Sequence, residues 1–314
     1  MTDVINSLGI LLFATLAYGT PLIYASLGSC FSEISGVVNI GIEGMMTAGA
    51  FTGTVTAYFT GNPWIGFLCG GLAGMLFGAL HALATVRLGA DQTIAGTAIN
   101  MLGPGLVIMI ARVLFNSTDT IPLTPEQRMP RLLTGVFDTT TTFGRFMDNV
   151  FSTYASTYLV FLAVLIVWFV FYKTRFGLRM RACGEHPAAC ETLGINVLRT
   201  RFLCVCMSGF LAGLGGACVT MAISNQFRPI SIVGQGFIAI AAVIFGKFRP
   251  HGALWGCLLF GFCSGLKTVL GGSSGIDTQL ISMIPYVVTV LVLILFVGKS
   301  RVPSASGKPF IKAR

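Results

Sequence analysis

Only 10% of the 314 residues are Asp, Glu, Lys or Arg, while 54% are hydrophobic and the mean hydropathy is +0.83. Soluble domains average about 25% charged residues, so a water-soluble enzyme or binding module of this size is excluded, and lipid must be the solvent around most of the surface. The net charge of +9 would suit an acidic or nucleic-acid partner. Its distribution along the chain gives a simpler account, and no nucleic-acid partner is expected.

A helix needs about 20 residues, within a range of about 17–25, to cross the hydrocarbon core. By that measure nine spans are predicted in chain order: Leu8–Leu27, Gly36–Phe59, Trp64–Val86, Thr93–Phe115, Tyr154–Phe171, Phe202–Met221, Ile230–Gly246, Gly252–Leu270 and Ile281–Val297. The range is 8–10, because the seventh is short and interrupted by Gly234 and Gly236, which suggests a broken or re-entrant segment. No Lys or Arg precedes the first apolar run, which therefore reads as a retained span and not a removed signal peptide. The fold class is all-α: a polytopic helical membrane protein with one transmembrane domain over residues 1–314.

Basic residues orient the spans. Lys173–Arg201 holds six Lys or Arg against two acids, Lys299–Arg314 holds five against none, and Lys247–His251 holds two. Nine spans put all three segments on one side, expected to be the cytoplasm, with the amino terminus outside and the carboxyl terminus inside. Residues 116–153 carry three Arg against four acids and read as an extracytoplasmic loop. Residues 173–201 then form a cytoplasmic loop, and residues 299–314 a basic cytoplasmic tail.

Chemistry-bearing groups are sparse. The nine cysteines show no CxxC pair or zinc-type Cys/His spacing, and most lie in apolar runs, where Cys acts as a small hydrophobe. The three histidines are scattered, so neither a catalytic constellation nor a metal site is expected. Gly298-Lys299-Ser300 ends like a phosphate-binding loop, but Leu293 stands where its first glycine must be. ATP hydrolysis is therefore not expected of this chain.

Many of the 39 glycines lie within predicted spans. Gly70, Gly74 and Gly78 follow the four-residue spacing that lets helix backbones approach closely. Gly36–Gly44 differs, because it places Asn39 and Glu43 four apart on one helical face between glycines. A carboxylate within a span is costly. Glu43 either pins a broken helix by hydrogen bonding or forms a polar wall of a translocation path, and both readings stand. In the loop from Phe176 to Phe202, Pro187 suits a first helical turn, Ala188–Leu193 a short helix, and Gly194 its stop. Such a helix, flanked by arginines at the membrane surface, could be gripped by a soluble motor subunit or could simply lie on headgroups.

Three segments carry a resemblance: Gly36–Ala50 (GVVNIGIEGMMTAGA), Gly184–Asn196 (GEHPAACETLGIN) and Gly234–Ala253 (GQGFIAIAAVIFGKFRPHGA). Together they resemble permease subunits of bacterial ABC importers for ribose, branched-chain amino acids and related solutes, and within these the nucleoside-type branch. The resemblance runs from about Ala25 to Gly298, apart from residues 116–153. It implies a multi-pass protein of the bacterial cell (inner) membrane that forms half of a pathway for a small polar solute. The implied partners are two ATPase subunits carrying ATP and magnesium, a second permease subunit in a heterodimer, and an extracytoplasmic solute-binding protein. No cofactor is expected in this chain. The 173–201 loop becomes the coupling loop, with Gly184, Glu185, Pro187, Glu191, Gly194 and Asn196 docking into the ATPase. Asn39 and Glu43 are candidates to line the path. Thr97, Asn100 and Gln235 join them on the ground of their polarity inside spans.

Two rivals come from other classes. An ion-coupled secondary transporter generally needs a titratable group deep in the membrane, and an intramembrane enzyme needs a paired constellation. The spans offer Glu43 alone for either. Simple sugars and branched-chain amino acids remain alternative cargoes.

Overall fold

The computed structural model describes residues 2–116, 120–137, 140–271 and 302–310, with scattered positions between 283 and 294. The first helix, α1 (Thr2–Ile34), is followed by α2 (Ile42–Thr60), α3 (Pro63–Ala82) and α4 (Gln92–Phe115). A two-residue strand β1 (Ile121–Pro122) and the short α5 (Thr142–Phe151) precede α6 (Ala155–Lys173), α7 (Arg175–Glu185) and α8 (Pro187–Thr192). Next come α9 (Val197–Cys218), β2 (Gln226–Phe227), α10 (Gln235–Phe245) and α11 (Pro250–Gly271). Helices α3 and α9 each run on through a π-helical turn, to Arg87 and Ser224 respectively.

Among the described residues, six helices are long and apolar enough to cross a membrane: α1, α3, α4, α6, α9 and α11. Helix α2, with 19 residues, has the length of a seventh. Helix α10 has only 11 residues, which at 1.5 Å per residue is about half a hydrocarbon core. The seventh predicted span is thus short and interrupted, as its glycines suggest. The ninth, Ile281–Val297, lies largely outside the described residues.

Local signals explain where the helices start. Asn62 accepts a hydrogen bond from Trp64 N (2.9 Å) with Pro63 in the first turn of α3, and Asp91 accepts from Thr93 N and Ile94 N (both 2.9 Å) at α4. Helix α1 runs past the predicted Leu27 to Ile34 and is stopped by Gly36 at φ +89°. There Gly36 N donates to Glu33 O (3.0 Å) and Val37 N to Ser32 O (3.1 Å), the paired bonds of a Schellman ending. Residues 36–41 are consequently not helical, and α2 begins six residues after the predicted start.

Helix α9 is the central element, buried from Val197 to Cys218 on almost every side and packed against α1, α2 and α3. Glycine makes this possible. A Cβ at Gly70 would stand 2.7 Å from Gly49 O and 2.9 Å from Ala217 Cβ, and one at Gly78 would stand 2.8 Å from Val205 O. A Cβ at Gly74 would meet Gly209 O and lie 2.6 Å from Gly213 Cα. The four-residue spacing on α3 therefore lays its backbone directly onto α2 and α9. The outer helices differ. Helix α4 buries a single stripe, Gln92, Gly96, Ile99, Gly103, Val107 and Ala111, and leaves its other faces open.

Residues 116–153 hold more structure than a plain loop. Strand β1 pairs antiparallel with β2, Ile121 opposite Phe227, and α5 packs on α1 beside Gly9.

Candidate functional site

The non-helical lead-in to α2 is held by buried polar side chains from four helices. Gln92 Oε1 of α4 accepts from Val38 N (2.7 Å), and His81 Nε2 of α3 donates to Val38 O (3.2 Å). Asn39 N donates to Glu33 Oε1 at the end of α1 (3.4 Å). Asn100 spans the segment: its Nδ2 donates to Ile40 O (2.9 Å) and its Oδ1 accepts from Gly44 N (2.8 Å). The Asn39 side chain turns inward, with Nδ2 donating to Ser208 Oγ of α9 (3.0 Å) and Oδ1 accepting from Gly41 N (3.1 Å). Glu33, Asn39, His81, Gln92 and Ser208 are all buried. Backbone freed from a helix among apolar spans needs partners of this kind, and here α1, α3 and α4 supply most of them, with Asn39 itself satisfying Gly41 N.

Asn39 and Glu43 do not share a helical face, because the helix starts between them. Asn39 is completely buried against α9, whereas Glu43, in the first turn of α2, is half-buried and points toward α10. There Glu43 Oε2 accepts from Gly234 N (3.1 Å). It thus caps the amino end of α10, whose preceding residue Gly234 sits at φ +83°, where a carboxylate opposes the helix dipole favourably. Gly236 makes the approach possible, since a Cβ there would lie 2.7 Å from Glu43 Cα and Cβ. Gln235, next to this cap, is half-buried and its Nε2 donates to Ser231 O (3.2 Å). Thr97 is exposed on α4, its hydroxyl bonded to Thr93 O (2.9 Å). The structure gathers Glu43, Gly234 and Gln235 at one point and joins Asn100 to the same segment from α4; Thr97 lies on the open face.

At one end of the bundle, α7 and α8 make a compact elbow. Helix α8 runs from Pro187 to Thr192 and stops at Gly194, φ +78°, where Gly194 N donates to Glu191 O and Ile195 N to Cys190 O (both 3.0 Å). Asn196 caps the next helix, accepting from Arg199 N (2.9 Å). Cys190 points inward with Cys183 and Val197, while Leu193 is 80% exposed at the tip. Burial, followed by the neighbouring Cys190, pushes the Cys183 thiol up to about 12. Gly184 is buried against Ile34 O, and Glu185 faces the tail. A groove of about 610 Å³ beside the elbow is lined by Arg181, Glu185, Lys247, Arg249 and Pro303. The three basic segments of the sequence therefore share one end of the molecule.

Residues 11–296 match the family described as "Branched-chain amino acid transport system / permease component". The chain belongs to this family.

Among relatives of this permease, the "Nucleoside ABC transporter permease protein NupC" of Lactococcus lactis is 41% identical, covering 99% of this chain and 100% of the relative. The "Guanosine ABC transporter permease protein NupQ" of Bacillus subtilis is 41% identical over 99% of both. A second Lactococcus lactis protein, the "Nucleoside ABC transporter permease protein NupB", is 25% identical over 93% of this chain and 81% of its own. The permease is thus a multi-pass protein of the cell membrane and a transport component.

Sequence reasoning did not single out Glu33, Gln92 and Ser208 for the clamp, gave His81 no partner, and did not single out Arg201. A legible signal existed for some of them. Glu33 falls beyond the predicted end of the first span, just before the Ser35-Gly36 stop. Gln92 follows the Asp91 cap as the first residue of a span. Nothing in the local sequence marks Ser208, because its partner Asn39 is 169 residues away.

Proposed function

We propose that this chain is the nucleoside permease subunit of an ATP-driven importer, forming half of the pathway. The reading is carried by the 41% identity, over 99% of the chain, to two permeases named for nucleosides and guanosine. The ATP and magnesium are bound by a separate ATPase subunit, which grips the α7–α8 elbow through Glu185, Pro187, Glu191, Leu193 and Asn196. An extracytoplasmic binding protein delivers the cargo. The second half of the pathway is a different permease subunit, a reading supported by two nucleoside permeases, NupC and NupB, in one organism.

In this reading the amino terminus is outside, and the end bearing the elbow, the tail and the α10–α11 turn is cytoplasmic, as a concentration of Lys and Arg favours. The span count is nine. The pathway runs along the edge where α2, α4 and α10 meet and where Thr97 remains exposed in the single chain. Asn39 and Asn100 keep the lead-in to α2 in place, while Glu43, Gln235 and Thr97 present polar groups toward the path. When ATP draws the two ATPase subunits together, the elbow moves, the capped end of α10 shifts, and access changes from one side to the other. A binding site for ribose and base needs hydrogen-bonding groups beside apolar surface, and on α4 the exposed Ile94 and Met101 flank Thr97.

The experiment is uptake of radiolabelled nucleosides, with ribose and leucine as controls, in cells with and without the gene, before and after collapse of the proton gradient with ATP maintained. Gene-dependent nucleoside uptake that survives collapse is expected. Loss with the gradient would point to a secondary transporter, and survival with leucine or ribose alone would reassign the cargo.

A further inference from the structure

The segment 302–310 touches the coupling elbow at several independent points. Ala305 N donates to Gly184 O (2.9 Å). Ser304 donates to Glu185 Oε2 through both its hydroxyl (2.7 Å) and its amide (3.3 Å). Phe310 packs on the cluster of Cys183, Cys190 and Val197 that forms the inside of the elbow. Ala305 and Pro303 are themselves buried. A hydrated charged tail makes no such pattern of backbone bonds and burial.

Arg201, in the first turns of α9, fastens the arrangement. It is only 2% exposed, and a cation so placed is destabilising unless hydrogen-bonded. Its Nη1 donates to Lys308 O in the tail (3.1 Å) and its Nη2 to Cys183 O in α7 (3.2 Å). The same guanidinium lies against Gly36, where a Cβ would stand 2.7 Å from Nη2 and 3.3 Å from Ala305 O. Gly36 opens the clamped segment that leads to Glu43 and the cap of α10. Tail, elbow and lead-in to α2 therefore meet on one side chain, in a contiguous chain of packed and bonded groups of the kind that can carry coupling.

We propose that residues 302–310 are a strap that makes the elbow and the lead-in to α2 one mechanical unit, with Arg201 as the positioning residue that joins them. The elbow gripped by the ATPase subunit is then braced from behind by a segment more than a hundred residues away, as the Glu185–Ser304 bond spans 119 positions. The strap converts displacement of α8 into displacement of residues 36–44. Without it the elbow yields locally and the stroke is dissipated. This inference rests on the importer reading above.

The test uses the assembled transporter in proteoliposomes with its ATPase, second permease and binding protein, comparing the full chain with a chain ending at Arg301 and with Arg201→Met and Arg201→Lys. The expected result is a complex that assembles and hydrolyses ATP with an unchanged KM for ATP, while nucleoside transported per ATP falls by about ten-fold in the truncation and in Arg201→Met. Arg201→Lys, which keeps a cation able to reach one of the two carbonyls, should recover part of the ratio. Amide exchange of residues 183–197 in the detergent-solubilised permease alone gives a second readout, expected to quicken when the strap is removed. An unchanged transport-to-ATP ratio in the truncation, or unchanged exchange in the elbow, overturns the proposal. So does a truncation that no longer binds the ATPase at all, since the tail would then serve assembly and not coupling. Failure of the full-length complex itself to move nucleosides with ATP would strike the importer reading instead.

Discussion

Substituting Gly74 by alanine adds one methyl group where α3 meets α9, and the structure fixes what that methyl encounters. Its three nearest neighbours are backbone atoms: Gly209 O, Gly213 Cα at 2.6 Å and Gly213 N at 2.8 Å. No side chain can rotate away, so α3 and α9 must separate by about 1 Å to reach ordinary carbon contact distances. A gap of that size forfeits about a quarter to a half of each dispersion contact along the ridge, and overpacking of this kind costs about 1–3 kcal/mol. Because all the obstructing atoms are backbone, the upper part of the range applies. Alanine returns about 0.5–1 kcal/mol through its better helix propensity, leaving a net destabilisation of about 2 kcal/mol. Gly105→Ala, on α4, is the matched control, since a Cβ there meets nothing within 4 Å and only the propensity gain remains. Thermal unfolding in detergent can be followed through the native thiols, because eight of the nine cysteines are buried. The midpoint should fall for Gly74→Ala and hold or rise for Gly105→Ala. If both variants shifted in the same direction, close backbone contact between α3 and α9 would not be what holds the bundle.

Three further outcomes are expected. Asn100→Leu strands Gly44 N and Ile40 O; with interhelical hydrogen bonds in membranes averaging about 0.6 and reaching about 1.7 kcal/mol, the loss should be about 1–3 kcal/mol in detergent melting, and no loss would refute the clamp. Glu43→Gln retains an acceptor for Gly234 N and should lose only the charge–dipole part, about 0.3–1 kcal/mol, whereas Glu43→Leu removes the cap and should abolish transport; equal transport by both would refute a capping role. Cys183, raised to about 12 chiefly by burial, carries almost no thiolate at pH 8, so iodoacetamide mapped by mass spectrometry should label it far more slowly in the folded than in the unfolded chain.

How far the sequence speaks depends on the range of the interaction concerned. The apolar runs, the stop at Gly194 after Pro187 and the four-residue glycine spacing are local patterns, and helices α3, α4, α6 and α8 lie close to where those patterns predict them. The break before α2 was half-legible. Glycines flank it, but the placement of Asn39 and Glu43 on one face assumed a helix that begins only at Ile42. What ends α1 is the turn at Gly36, and what holds the following six residues open is a set of bonds from Gln92, Asn100 and Ser208, none of them near in sequence. Residues 116–153 gave no periodic signal because β1 has two residues and needs β2, more than a hundred positions later, to exist as a strand. The tail's basic composition indicates a side of the membrane, but gives no sign that Ala305 would bond to the elbow and Lys308 to Arg201 of α9.

The clamp on residues 36–44 also imposes an order on biogenesis. When α1 and α2 leave the ribosome, the amide of Val38 and the carbonyl of Ile40 have no helical partner, and the groups that will satisfy them lie 54 and 60 residues further along the chain. Asn39 waits longer still, since Ser208 is synthesised after α3, α4 and α6. Exposed backbone of this kind is not tolerated in hydrocarbon, so α2 must be kept in a wet or proteinaceous vestibule until α4 arrives beside it. The nascent permease should therefore leave the insertion machinery as a group of helices, with release of the first pair delayed until the fourth has emerged.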